Sequence, residues 1–256
     1  MGEKEYNNGL LDIKLASRVQ QILFPKTSPA CTWCCVGTKN RMAQGLGGDY
    51  FDFITMPDKC QAIFIGDVTG HGLHASLVMA LLYGFIHRAA RDICVPLDLV
   101  TKANDFLLSF AARSREFDHF FSSTLFCGII DPRTLEMEYV NAGHPFPLVR
   151  RGETIFPLTV TAPPIGFFTR PEIGRQSFRF APGDRLLLYT DGITEAADPE
   201  GQMFGGERLK QVLLRENGDY WQVLDEIFAA MGAFGAADPP RDDATAIVVD
   251  IRDFGK

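Results

Sequence analysis

Ile63-Phe64-Ile65-Gly66-Asp67-Val68-Thr69-Gly70-His71-Gly72 carries an apolar run into an acidic, glycine-rich corner, and Leu73–Arg91 continues it with helical spacing. A short Ile- and Phe-rich run of this kind reads as a buried strand. The strand delivers Asp67 to its end on rigid backbone, a place where folds keep metal and phosphate chemistry. Three more carboxylates stand at comparable strand edges: Asp49, Asp191 and one of the pair Asp242–Asp243. Four separated acids in such positions predict a cluster for hard divalent cations, which take carboxylate, carbonyl and water oxygens.

Working outward, Gly47-Gly48-Asp49 opens a strand over Tyr50–Thr55, and Pro57-Asp58 turns it into Cys60–Asp67. Antiparallel pairing of the two brings Asp49 and Asp67 to one edge. Upstream, Leu10, Ile13, Leu15, Val19, Ile22 and Leu23 predict a helix over Leu10–Phe24 that Pro25 stops. Residues Lys26–Leu46 read as irregular, with a strand around Trp33–Gly37. Downstream, helices are expected at Leu73–Arg91 and Leu97–Arg113, then strands at Ser123–Ile130, Leu135–Asn141 and Pro147–Arg150. Short strands follow within Thr154–Phe180, and Arg185–Thr190 delivers Asp191. Helices Glu207–Arg215 and Trp221–Met231 precede a last strand, Ala244–Ile251. Strands in runs and helices in pairs indicate an α+β fold of antiparallel sheets with helices outside, not a doubly wound parallel sheet. No repeat or linker divides residues 26–256, so a single domain follows the helix of residues 1–25.

The chain has 256 residues, 46% hydrophobic and 22% charged, which suits a globular protein with a sizeable core. A net charge of -7 argues against general nucleic-acid or membrane-surface binding. The longest apolar run, Ala75–Ile86, falls short of the ~20 residues a bilayer requires. Met1–Asn8 is polar and lacks the apolar centre of a signal peptide, so the expectation is a cytoplasmic protein. Of six cysteines, Cys60 and Cys127 read as core residues. Cys31-x-x-Cys34-Cys35 lacks a second ligand pair for zinc and reads as buried or surface thiols.

Five motifs occur in order: Gly47-Gly48-Asp49-Tyr50-Phe51-Asp52-Phe53, Gly66-Asp67-Val68-Thr69-Gly70-His71-Gly72, Asn141-Ala142-Gly143-His144-Pro145, Tyr189-Thr190-Asp191-Gly192-Ile193-Thr194-Glu195 and Arg241-Asp242-Asp243-Ala244-Thr245. Together they resemble the PPM (protein phosphatase 2C-like) serine/threonine phosphatases. More narrowly, they are similar to the bacterial sigma-factor regulators typified by stage II sporulation protein E and RsbU. The resemblance spans about Leu10 to Ile251. It implies a β-sandwich of two antiparallel sheets flanked by helix pairs, with two Mn²⁺ or Mg²⁺ ions at one edge. Two such ions, about 3.5–4 Å apart, lower the pKa of a water and clamp a phosphoryl group, so no Ser or Cys nucleophile is required.

By the same resemblance Asp67 bridges both metals, Val68 lends a backbone carbonyl and Asp191 is a further ligand. Asp242 best matches the last ligand, with Asp243 the alternative if the register shifts by one. Asp49 is a ligand directly or through water. His71 is either a proton donor to the leaving seryl oxygen or a structural residue at a helix entry, and His144 organises its loop. Eukaryotic relatives carry an arginine before the first acid; Gln44 stands near that place here, with Arg41 further back. The implied partner is a phosphorylated protein, a STAS-type anti-sigma-factor antagonist. The N-terminal helix either covers the sheet or serves switching, through an activating partner or a homodimer.

Other readings account for less. Gly47-Gly48-Asp49-Tyr50-Phe51 resembles the Gly-Gly-Asp-Glu-Phe signature of diguanylate cyclases, with Tyr50 in place of the glutamate. Cys127…Arg133 and Cys35…Arg41 have the Cys-x5-Arg spacing of cysteine-dependent phosphatases, but neither has the glycine pattern of a phosphate loop. The alternative from another class is a phosphatase-like module that binds a partner without turnover; the acidic positions, all retained, speak against it.

Overall fold

The computed structural model describes residues 3–25, 31–113 and 121–252, with only the backbone given for residues 3–10. Helix α1 (Glu3–Leu23) leads to β1 (Cys34–Arg41), β2 (Asp49–Thr55) and β3 (Gln61–Val68). Helices α2 (Gly72–Ala89) and α3 (Pro96–Ala111) precede β4 (Ser123–Asp131), β5 (Glu136–Ala142), β6 (Leu148–Arg151), β7 (Thr154–Pro157), β8 (Gln176–Arg179) and β9 (Arg185–Tyr189). The chain closes with α4 (Asp191–Thr194), α5 (Gly205–Arg215), α6 (Tyr220–Phe234) and β10 (Ala244–Ile251).

The strands form two five-stranded antiparallel sheets, ordered β1-β10-β9-β6-β7 and β2-β3-β4-β5-β8. The strands β3, β4, β9 and β10 bury both faces, which explains their continuous apolar runs, whereas the edge strands β7 and β8 are largely exposed. On β3, Ile63 and Ile65 face the other sheet while Phe64 and Val68 face α2 and α3. On β10, Ile247, Val249 and Ile251 face inward while Ala244, Ala246 and Val248 meet α5 and α6. The layers are therefore helix pair, sheet, sheet, helix pair, as the motif resemblance implied.

The helix ends follow local chemistry. Pro96, one residue before the expected start at Leu97, is the first residue of α3, where its missing N–H costs nothing. Asp219 and Gln222 form a reciprocal capping box on α6, and Gly235 ends that helix at φ 101°. Helix α1 starts seven residues before the expected Leu10, because Glu3–Gly9 carries no apolar periodicity to mark it. The boundary expected at 25/26 adjoins residues 26–30, which lie outside the described residues. No helix among the described residues is long and apolar enough to cross a membrane.

The cysteines bring one correction. Cys31 and Cys34 are joined in a disulfide, their Cα atoms 5.6 Å apart, rather than standing as thiols. The turn into edge strand β1 brings the two within ordinary bridging distance. Cys127 is buried in mid-β4, its thiol pushed up to about 12 by desolvation, so it is no phosphatase nucleophile.

Candidate active site

Asp49 is the first residue of β2 and Asp67 the penultimate residue of β3, and the two are register partners. On the facing sheet, Asp191 opens α4 just past β9, and Asp242-Asp243 immediately precede β10. Because β9 and β10 run antiparallel, with Thr190 N–H donating to Thr245 O at 3.0 Å, both sets of acids arrive at one end of that sheet.

The acids feel one another. Burial, followed by the charges of Asp191, Asp242 and Asp243, pushes the Asp67 carboxyl up to about 8. Burial, then Glu195 and Asp242, raises Asp191. Burial, then Asp67 and Asp243, raises Asp49 well above the usual carboxylate range. Surplus negative charge of this kind is relieved by a bound cation.

Two acids are held as clasps. The Thr190 and Thr245 hydroxyls both donate to Asp49 Oδ2, at 2.9 and 2.5 Å, and Asn40 Nδ2 donates to the Thr245 oxygen at 2.6 Å. Asp49 thus ties its own sheet to the facing one. Asp243 accepts Ala43 N–H on Oδ1 and Gly48 N–H on Oδ2, both at 2.9 Å, which pins the segment before β2. Asp242, exposed, accepts the Asp243 N–H on Oδ1 at 2.8 Å. Gln20 of α1 reaches the same segment, donating to Gly47 O at 2.7 Å and accepting Gly47 N–H at 3.2 Å.

Two glycines keep the site open. A Cβ on Gly47 would lie 1.6 Å from Asp243 Oδ2. A Cβ on Gly48 would lie 2.7 Å from both Asp67 Oδ1 and the Val68 carbonyl oxygen. These two oxygens therefore share a small hollow that only glycine leaves free, and hard oxygen donors are what Mg²⁺ and Mn²⁺ prefer. The residues present fit such a cation, although among the described residues no three His, Cys, Asp or Glu side chains stand close enough to enclose an ion by themselves.

His71 caps the start of α2, exposed and without a side-chain cap bond. His144 is buried: its N–H donates to Asn141 Oδ1 and its Nδ1 meets the Thr124 hydroxyl, both at 2.9 Å. Burial lowers its pKa to about 3, so the ring is neutral. Its Nε2 lies near the Tyr189 backbone without a well-formed hydrogen bond. It orders its loop, as expected. Arg41 is turned away, over the Phe228 ring and 3.9 Å from Asp238. Gln44 Oε1 instead approaches Gly72. Thr190, Thr245, Asn40, Gln20 and Gly48 went unassigned in the sequence reading, although Gly48 and the two threonines lie inside the motifs that carry the acids.

Comparison with known proteins bears out the fold. The profile of the family described as Stage II sporulation protein E (SpoIIE) matches residues 57–252. Protein IcfG of Synechocystis is 26% identical over 93% of this chain and 41% of its own length. Phosphoserine phosphatase RsbP of Bacillus subtilis is 27% identical over 81% of this chain and 50% of its own. The chain thus spans about half the length, or less, of these curated relatives. Among solved structures, the SiaA-PP2C domain of Pseudomonas aeruginosa superposes with a TM-score of 0.83 at 20% identity, covering 99% of this chain and 100% of that one. The PP2C phosphatase domain of SpoIIE from Bacillus subtilis gives 0.70 at 20% identity, over 88% of this chain and 64% of that one.

Proposed function

Because the chain belongs to the Stage II sporulation protein E (SpoIIE) family, we propose that it is a phosphoserine/phosphothreonine protein phosphatase using two divalent cations, Mn²⁺ or Mg²⁺. The observation that carries the reading is the convergence of Asp67 Oδ1 and the Val68 carbonyl oxygen on the hollow over Gly48. In this reading Asp67, Val68, Asp191 and Asp242 hold the cations. Asp242 is favoured over Asp243 because both oxygens of Asp243 are engaged by backbone N–H groups. Asp49, with Oδ2 taken by two hydroxyls, contributes its other oxygen directly or through water. When bound, such cations lower the pKa of a water and stabilise charge on the phosphoryl group.

The remaining work falls to the chain itself. Asp243 and Gln20 fix Gly47-Gly48 so that the hollow stays open. The Asp49 clasp keeps the acids of the two sheets at a constant spacing, the positioning on which phosphoryl transfer depends. His71, exposed at the α2 entry, donates a proton to the leaving seryl oxygen.

The substrate in this proposal is a phosphorylated STAS-type anti-sigma-factor antagonist, whose dephosphorylation lets it capture an anti-sigma kinase. Supporting this are relatives named phosphoserine phosphatases RsbP and RsbU, and a similar solved structure that contains RsbU and RsbW domains in one Mycobacterium tuberculosis protein. Leu11, Leu15, Val19 and Ile22 are exposed on α1, a surface that suits an activating partner or a homodimer. The second reading is a phosphatase-like module that binds a partner without turnover; the acids retained at Asp49, Asp67, Asp191 and Asp242 speak against it.

Hydrolysis of p-nitrophenyl phosphate with Mn²⁺, with and without EDTA, decides between them for wild type and Asp67→Asn. Metal-dependent turnover lost in the variant supports the phosphatase reading. Silence with Mn²⁺ and, in a parallel assay, with Mg²⁺, on phosphorylated STAS proteins as well, leaves the binding module.

A further inference from the structure

A pocket of about 240 Å³ opens directly against the acid cluster, with Gly192 and Asp242 in its wall. Its other sides are Ala197, from the segment after α4, and Met231, Ala236, Ala237 and Pro240, from α6 and the loop before β10, all small or apolar. This volume is below the ~300–1,000 Å³ of pockets that take whole small molecules, and suits one side chain. Two charged groups flank it. Glu195 is exposed on the acid side. Arg241 is exposed beside Asp242 and makes no hydrogen bond or ion pair with any described residue. Its counterparts differ: Arg151 is paired with Asp184, and Arg185 with Asp250. A guanidinium with no partner among the described residues, next to an acid cluster, complements a phosphoryl group, which it can grip through two parallel N–H donors.

We infer that this pocket is the subsite for the residue adjoining the phosphoserine: its apolar interior takes an aliphatic side chain, and Arg241 pairs with the phosphoryl oxygens. The inference rests on the phosphatase reading. Glu195 repels an acidic neighbour at the same position, so selectivity comes from attraction and repulsion together.

The test uses the chain with Mn²⁺ on phosphoserine peptides carrying Leu, Ala or Asp immediately before or after the phosphoserine, with p-nitrophenyl phosphate alongside. Leu at one of the two positions should exceed Ala in kcat/KM by about tenfold, the scale for a few methylenes in an apolar site, and Asp should fall below both. Ala237 is exposed, so Ala237→Trp fills the pocket without disturbing the core, and it should erase the Leu advantage. Arg241→Ala should raise KM for every phosphopeptide, with partial rescue in Arg241→Lys. Equal Leu-to-Ala ratios in wild type and Ala237→Trp, or an unchanged KM in Arg241→Ala, overturn the inference. A wild type that hydrolyses no phosphoester at all overturns the phosphatase reading instead.

Discussion

Gln20 and Gly47, 27 positions apart, pair like neighbouring strands: the Gln20 side-chain amide donates to and accepts from the Gly47 backbone, and Gln20 is buried. One side chain of the N-terminal helix thereby sets the segment that carries Gly48 and Asp49. Gln20→Ala leaves a buried N–H and a buried carbonyl unmatched, at a cost of about 1–3 kcal/mol. Urea unfolding should show that loss, and a Mn²⁺ titration of p-nitrophenyl phosphate hydrolysis should shift to higher metal concentration. A variant with wild-type stability and metal response would show the contact to be incidental.

Gly48→Ala tests the hollow itself. The Gly48 backbone is not in the left-handed region, so alanine adds only a methyl group, aimed at Asp67 Oδ1 and the Val68 oxygen. Calorimetry should find Mn²⁺ affinity reduced about tenfold or more, equivalent to about 1.4 kcal/mol. The circular dichroism spectrum should stay that of the wild type. Unaltered affinity would remove these two oxygens from the metal site.

The metal-free protein should weaken as pH rises. Asp67 titrates near 8 when folded, against 3.8 without its surroundings, so the folded chain keeps a proton that the unfolded chain gives up. The stabilisation is complete below about pH 4 and drains away up to about pH 8, with a limiting slope of ~1.4 kcal/mol per pH unit for one proton. Melting temperatures in EDTA should fall from pH 5 to pH 8, and Asp67→Asn should flatten the trend. Added Mn²⁺ should raise the melting temperature most at the alkaline end.

His144 acts with the opposite sign. Its folded pKa of about 3 lies below its ordinary 6.5, so the unfolded chain takes up the proton first. Its neutral burial is harmless above pH 6.5 and becomes destabilising as pH falls toward 3, again by at most ~1.4 kcal/mol per unit. Between pH 6.5 and 4.5, wild type should lose more stability than His144→Gln. Parallel curves would mean that His144 is already protonated in the folded state.

Much of this architecture is legible in the residues. Continuous runs such as Ile63–Ile65 and Ala244–Ile251 mark strands covered on both sides, and the spacing of Asp49 and Asp67 about Pro57-Asp58 fixes their pairing. What the sequence does not convey is division of labour among like residues. Asp242 and Asp243 are adjacent and identical, yet one is exposed and the other has both oxygens bound to backbone. That difference arises from the segment Ala43–Gly48, nearly 200 positions away. Gln20 was equally hidden, a polar residue on a helix whose apolar spacing drew the reading elsewhere. The Cys31–Cys34 bridge depends on a turn geometry that spacing alone leaves open.

The Asp49 clasp has a consequence for how the catalytic edge comes into being. Asp49 and Asp67 travel on one hairpin, Asp191 and Asp242 on the segments that flank β9 and β10 of the other sheet, and the Thr190 and Thr245 hydroxyls meet Asp49 only once the sheets have closed. No contiguous piece shorter than residues 49–242 contains the whole set. Nascent or severed chains therefore carry half-sites that are merely acidic, and on the two-cation reading proposed above competence would arrive in one step, as a certificate that both halves of the sandwich have been assembled.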